Sequence, residues 1–151
     1  MSLLNDLFSS HRASTGIRLK VDMEDVSFNM ETAIPCGLII NELVSNSLKY
    51  AFPDDTGDIY VNLRHFEDKF LLTISDNGKG IPNDIDFKNT KSLGFRLTNN
   101  LTQQLEGEKE LDRSKGTKFT IIFEELKYET RNTVKETIVT AFKSRELRKQ
   151  A

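Results

Sequence analysis

Two short stretches place polar residues where the chain around them is apolar, and their residue types suit the handling of a charged ligand. In IINELVSNSLKYAF, residues 39–52, the polar side chains Asn41, Glu42, Ser45, Asn46 and Lys49 interrupt an apolar run. Glu42 and Asn46 are four residues apart, so on a helix they share a face, with Lys49 a turn further along. A buried Asn or Glu without a partner costs about 1–3 kcal/mol. Either this is the exposed stripe of a surface helix, or something polar stands opposite it. An Asn oxygen can complete the shell of a magnesium ion that keeps waters and phosphate oxygens as its other ligands. A lysine ammonium suits phosphate oxygens as a point charge.

The second stretch is SDNGKGIP, residues 75–82, directly after the apolar FLLTI. Asn-Gly and Gly-x-Gly after a strand are turn signals in any protein, and a plain turn accounts for them. Asp76, however, ends an apolar strand, where an unpaired carboxylate is expensive. Gly78 and Gly80 remove side chains nearby and so let a flat ligand approach the backbone. A carboxylate beside open backbone suits the exocyclic amine of adenine, which donates the hydrogen bond that Asp must accept. Two weaker signals follow. Gly94 opens a helix in KSLGFRLTNNL, where free N–H groups and the positive dipole end can hold phosphate oxygens. Gly116 and Thr117 form a turn into the last strand, and a strand threonine is usually nothing more.

These residues need elements to hold them. Leu3, Leu4, Leu7 and Phe8 predict a short helix over about residues 2–12, and GIRLKVDM alternates as a half-buried strand. Leu38, Ile39, Leu43, Val44 and Leu48 predict a helix from about 32 to 51, with Pro35 tolerable near its start. DIYVNLRHF and KFLLTISD read as a hairpin across EDK. A helix from about 93 to 105 and a second hairpin, GEKELDR with TKFTIIFEEL, complete the body. The tail NTVKETIVTAFKSRELRKQA has helical periodicity and many charges, as a surface helix, a linker or a dimerisation segment would. Strands and helices do not alternate throughout, so the fold class is α+β, a two-layer sandwich of a mixed sheet with helices on one face.

Composition narrows the setting. The 151 residues, 37% hydrophobic, fit one globular domain, and a net charge of −2 lacks the basic footprint of a nucleic-acid binder. The lone Cys36 excludes an internal disulfide and a cysteine-type zinc site. There is no basic leader peptide and no apolar run of the roughly 20 residues that span a bilayer, so a soluble, cytoplasmic location without membrane contact is expected. The opening MSL reads as an added leader, which implies a piece of a longer protein.

Taken in order, the stretches resemble the ATP-binding domain shared by sensor histidine kinases, type II topoisomerases, Hsp90 and MutL. NELVSNSLKYAF resembles that family's N box, DNGKGIP its G1 box, SLGFRL a reduced G2 box, and GTKFTIIF the closing Gly-Thr strand. The likeness covers about residues 15–126, and AIPCGLIINELVSNSLKYAFP is similar to two-component histidine kinases whose dimerisation helices are of the second class.

By that resemblance the cofactors are ATP and Mg2+. Asn46 would coordinate magnesium, with Lys49 and Tyr50 beside the phosphates and nucleoside. Asp76 would bind the adenine amine. Gly78, Gly80 and Ile81 would line the purine slot, Gly94 would lie at the phosphates, and Thr117 would support adenine through water. Glu42 stands where ATP-hydrolysing relatives carry a general base.

Three departures stand out: a short lid between the G1 and G2 boxes, a single glycine in G2, and no clear aromatic F box. No dimerisation hairpin with a phosphoacceptor histidine is evident; His11 and His65 read as surface or capping residues. The implied organisation is a helical lead-in over 1–14, the catalytic domain over 15–126, and a helical extension over 127–151. The implied partners are ATP, the phosphoacceptor domain of a homodimeric parent, and a downstream response regulator. Two other readings of the same fold are an anti-sigma-type serine kinase and a non-enzymatic nucleotide-sensing scaffold.

Overall fold

A computed structural model describes residues 16–82, 84 and 92–127. The expected helix at 2–12, His11, most of the lid and the tail from 128 onward lie outside these residues. Strand β1, Gly16–Met23, follows the alternation of Ile17, Leu19, Val21 and Met23 against charged neighbours. Helix α1, Met30–Tyr50, starts two residues earlier than the apolar pattern predicts. The cause is Asn29, whose side chain accepts a hydrogen bond from the Thr32 amide at 3.0 Å and caps the first turn. Pro35 therefore sits inside the helix, a full turn past its start.

Strands β2, Thr56–Phe66, and β3, Lys69–Asp76, form the expected hairpin, with Glu67 at φ 59° in the turn. Helix α2, Leu93–Gln104, stops one residue short of expectation, and strands β4, Glu108–Asp112, and β5, Thr117–Phe123, follow. The sheet order is β1-β2-β3-β5-β4. β1 and β2 run parallel, connected through α1, and the other neighbours are antiparallel.

Alternate residues of the strands, among them Ile59, Val61, Leu72, Ile74, Phe119 and Ile121, meet Ile39, Leu43 and Val44 of α1 in one core. Leu101 and Leu105 carry α2 into it. At the end of the sheet where α1 begins, three aromatic rings fill the space: Phe28, Phe70 and Phe123, with centroids 4.7–5.8 Å apart. The chain after β5 is latched there. The Leu126 amide donates to the Thr32 hydroxyl at 2.9 Å, the Asn29 amide to Glu125 at 2.7 Å, and the Asn29 side chain to the Leu126 carbonyl. Among the described residues no helix is long and apolar enough to cross a membrane.

Candidate functional site

The opposite end of the sheet is built around a hollow. Asp76 closes β3 and is 5% exposed, with Thr117 beside it across the antiparallel pair with β5. The Ser47 hydroxyl, one turn before the end of α1, donates to Asp76 Oδ2 at 2.7 Å. The Gly78 amide donates to Oδ1 at 3.0 Å. A carboxylate has about four acceptor positions, so two remain for a donor arriving from outside. Among the described residues no ion pair involves Asp76.

Beside this carboxylate lies a cavity of about 480 Å³, a size suited to a small-molecule ligand. Leu43, Asn46, Ser47 and Tyr50 of α1 form one wall, and Gly80, Ile81 and Pro82 of the turn after β3 form another. Thr117 and Phe119 lie across β5, and Ser92 and Phe95 bring in the start of α2. The arrangement pairs an apolar slot with a buried acceptor at its end.

The turn after β3 holds its shape through close backbone contacts. A Cβ on Gly78 would stand 2.3 Å from the Ala51 carbonyl oxygen, and the next amide, Lys79, donates to that same oxygen at 3.0 Å. Gly78 therefore seats the turn on the end of α1; it is not among the residues that line the cavity, whereas Gly80 is. Gly116, at φ 75°, would place a Cβ 2.1 Å from the Asp76 carbonyl oxygen, so only glycine lets β5 enter against β3 here. Asn77 ties the turn to β2: its Oδ1 accepts from the Asp58 amide at 2.8 Å. The Asp58 carboxylate is gripped in turn by Arg18, at 2.8 and 3.2 Å, which holds its pKa below the usual carboxylate range.

The polar row of α1 faces α2. A Cβ on Gly94 would lie 3.0 Å from Glu42 Oε2 and 3.2 Å from Asn46 Nδ2, so the first turn of α2 rests on those two side chains. That first turn carries no acidic residue of its own, and the negative side chain set against it is Glu42 of α1. Lys49 is exposed and does not line the cavity, and Tyr50, also exposed, stands at its mouth. His65 pairs with Glu24 at 2.6 Å on the far end of β2, away from the cavity.

The fold thus gathers Asn46, Tyr50, Asp76, Gly80, Ile81 and Thr117 around one hollow, with Glu42 and Gly94 against its wall. Sequence reasoning missed Ser47, Phe95 and Phe119. Ser47 had a signal: a hydroxyl four residues after Leu43 interrupts the buried row of α1, and a polar group there needs a partner. The two phenylalanines had none, since apolar residues at those positions read as ordinary core.

Residues 31–127 match the family described as histidine kinase-, DNA gyrase B-, and HSP90-like ATPase. The chain belongs to this family. The blue-light-activated histidine kinase 2 of Erythrobacter litoralis is 34% identical over 100 residues, which are 64% of this chain and 29% of that protein. The solved histidine kinase domain of the blue-light activated kinase EL346 of the same organism superimposes with a TM-score of 0.76 at 28% identity, covering 82% of this chain and 58% of that one. The Acinetobacter baumannii histidine kinase AdeS shares the fold, with a TM-score of 0.67 at 16% identity over 83% of this chain and 64% of that one. The chain spans less than a third of the length of the curated relative it matches.

Proposed function

We propose that this domain binds Mg-ATP and presents the γ-phosphate to a histidine on a separate dimerisation domain, as the catalytic part of a two-component sensor kinase. The observation that carries the reading is the buried Asp76, held by Ser47 and Gly78 with spare acceptor capacity toward the apolar slot. Asp76 accepts from the exocyclic amine of adenine and so selects that base over one bearing a carbonyl at the same position. Ile81, Gly80 and Phe119 enclose the ring, and Thr117 holds a water against it. Lys49 and Tyr50 reach the ribose and phosphates from the mouth.

Among the described residues no three His, Cys, Asp or Glu side chains are grouped to hold a metal ion. Asn46 is the residue that would hold a magnesium ion here through its side-chain oxygen, phosphates and water being the ligands this ion commonly takes with nucleotide. The chemistry such an ion would supply is neutralisation of phosphate charge. The start of α2, near Gly94, directs N–H groups at the phosphate oxygens. The histidine nitrogen then forms a bond to the γ-phosphorus while the β–γ bridging P–O bond breaks, and ADP leaves with the electron pair. Catalysis rests on positioning and charge neutralisation. Glu42, beside Asn46, orients the polar wall; the nucleophile comes from elsewhere.

The parent is proposed to be a cytoplasmic homodimer whose phosphohistidine serves a response regulator, with residues 1–14 leading in from the phosphoacceptor part and 127–151 leading out. The named relatives are histidine kinases, which does not favour the serine-kinase and scaffold readings. The test is calorimetric titration with ATP and magnesium, followed by phosphotransfer to a supplied histidine-bearing helical hairpin. Binding and an acid-labile phosphoryl product are expected. Acid-stable phosphate on serine would replace this reading, and no binding at millimolar ATP would end it.

A further inference from the structure

Away from the cavity, α1 carries an apolar stripe on its outer side. Met30, Ile34 and Leu38 recur at every fourth residue and are 66%, 52% and 42% exposed. Beside the stripe runs a groove between α1 and the outer edge of the sheet. Val21, Met23, Val26 and Phe28 form one bank, with Gly37 and Ile40 of α1 on the other. Its rim carries three carboxylates: Asp22 and Glu24, which pair with Arg64 and His65, and Asp25, which has no ion pair among the described residues. Isolated exposed apolar residues are ordinary, but three in a row beside an apolar groove mark a surface that something covers.

We propose that the occupant is this chain's own C-terminal segment, residues 132–147, laid along α1. Three observations converge on it. The first is where the described chain stops. Leu126 is tied to Asn29 and Thr32, at the first turn of α1 and hence at the start of the stripe. Residues 128–131 can extend about 13 Å, enough to pass round a helix end.

The second is length and pattern. Val134, Ile138, Ala141 and Phe142 fall at i, i+4, i+7 and i+8, one apolar face when helical. Sixteen residues as a helix reach about 24 Å, within the roughly 31 Å of α1. The third is charge. Residues 128–151 contain six Lys and Arg against three Glu, a net of +3, so a whole-chain charge of −2 leaves −5 on residues 1–127. Arg131, at the end of the linker, and Lys135, in the first turn of the segment, match Asp25 at the rim of the groove.

Hydrogen–deuterium exchange on the full chain at dilute, monomeric concentration tests this. A lone helix of this length is marginal in water, so amides 134–146 exchanging more than about tenfold slower than in a free peptide report docking. The double substitution Ile34→Lys and Leu38→Lys, at exposed positions, is expected to return them to the peptide rate while Leu72 and Ile74 in β3 stay protected. Phe142→Asp is expected to do the same from the other side, and Asp25→Lys to cut the protection several-fold at low salt. Free exchange in the unaltered chain overturns the proposal. So does protection that survives the stripe substitutions, or that appears only as the protein dimerises, which would assign the groove to a second copy.

Discussion

The two ends of α1 both bury polar groups, and they treat them in opposite ways. At the Asn29 end, Thr32 is fully buried and its hydroxyl accepts from Leu126, while Asn29 closes both the helix and the chain after β5. Three aromatic rings fill the remaining space. At the Tyr50 end, Asp76 and Ser47 are also buried but border a hollow, with acceptor capacity left over. Satisfied polar groups and filled volume make the first end a clamp. The second end leaves volume and acceptor capacity that a ligand can complete.

Phe123→Ala is the largest expected blow to stability, about 3–5 kcal/mol by urea unfolding, because its ring is nearly fully buried at the clamp. Nucleotide affinity of the folded fraction should barely change; a parallel loss would erase the contrast between the ends. Asp76→Asn should do the reverse. It turns an acceptor into a donor facing the adenine amine, and calorimetry should show affinity falling about 100-fold or more, near 2.8 kcal/mol. The unfolding midpoint should move by much less than that implies.

Asn29→Ala removes the α1 cap and should cost about 1 kcal/mol in stability with no change in ATP affinity. The acid limb sharpens the picture at the edge of the site. Asp58 is held below the usual carboxylate range by Arg18, so its contribution is present above an unfolded pKa of about 3.9 and is lost as pH falls below that toward the folded value. Urea unfolding between pH 5 and 2 should flatten in Asp58→Asn. The smallest effect concerns Cys36, between the two ends. Burial pushes its thiol to about 12, so the native protein should resist alkylation at pH 8 and react fully only once unfolded.

Much of this was legible in the order of residues. The alternation in GIRLKVDM and KFLLTISD and the helical rows of α1 and α2 match the observed elements to within two residues. The helix start was displaced because the cap at Asn29 lies outside the apolar pattern. Glu42 with Asn46, and Asp76 with its glycines, stood out as polar or flexible residues in apolar company. The purpose of Gly78 was read differently: it makes room for Ala51.

The sequence by itself determined which segments become strands and helices, because periodicity and caps act between residues a few positions apart. It could not show that β5 inserts beside β3, which sets Thr117 against Asp76 from 41 positions away. Nor could it show Ser47 reaching that carboxylate, or α2 resting Gly94 on Glu42 and Asn46. Those meetings are decided only when the core closes, since strand neighbours and helix contacts are chosen by shared burial across long loops and leave no local mark on the residues that make them.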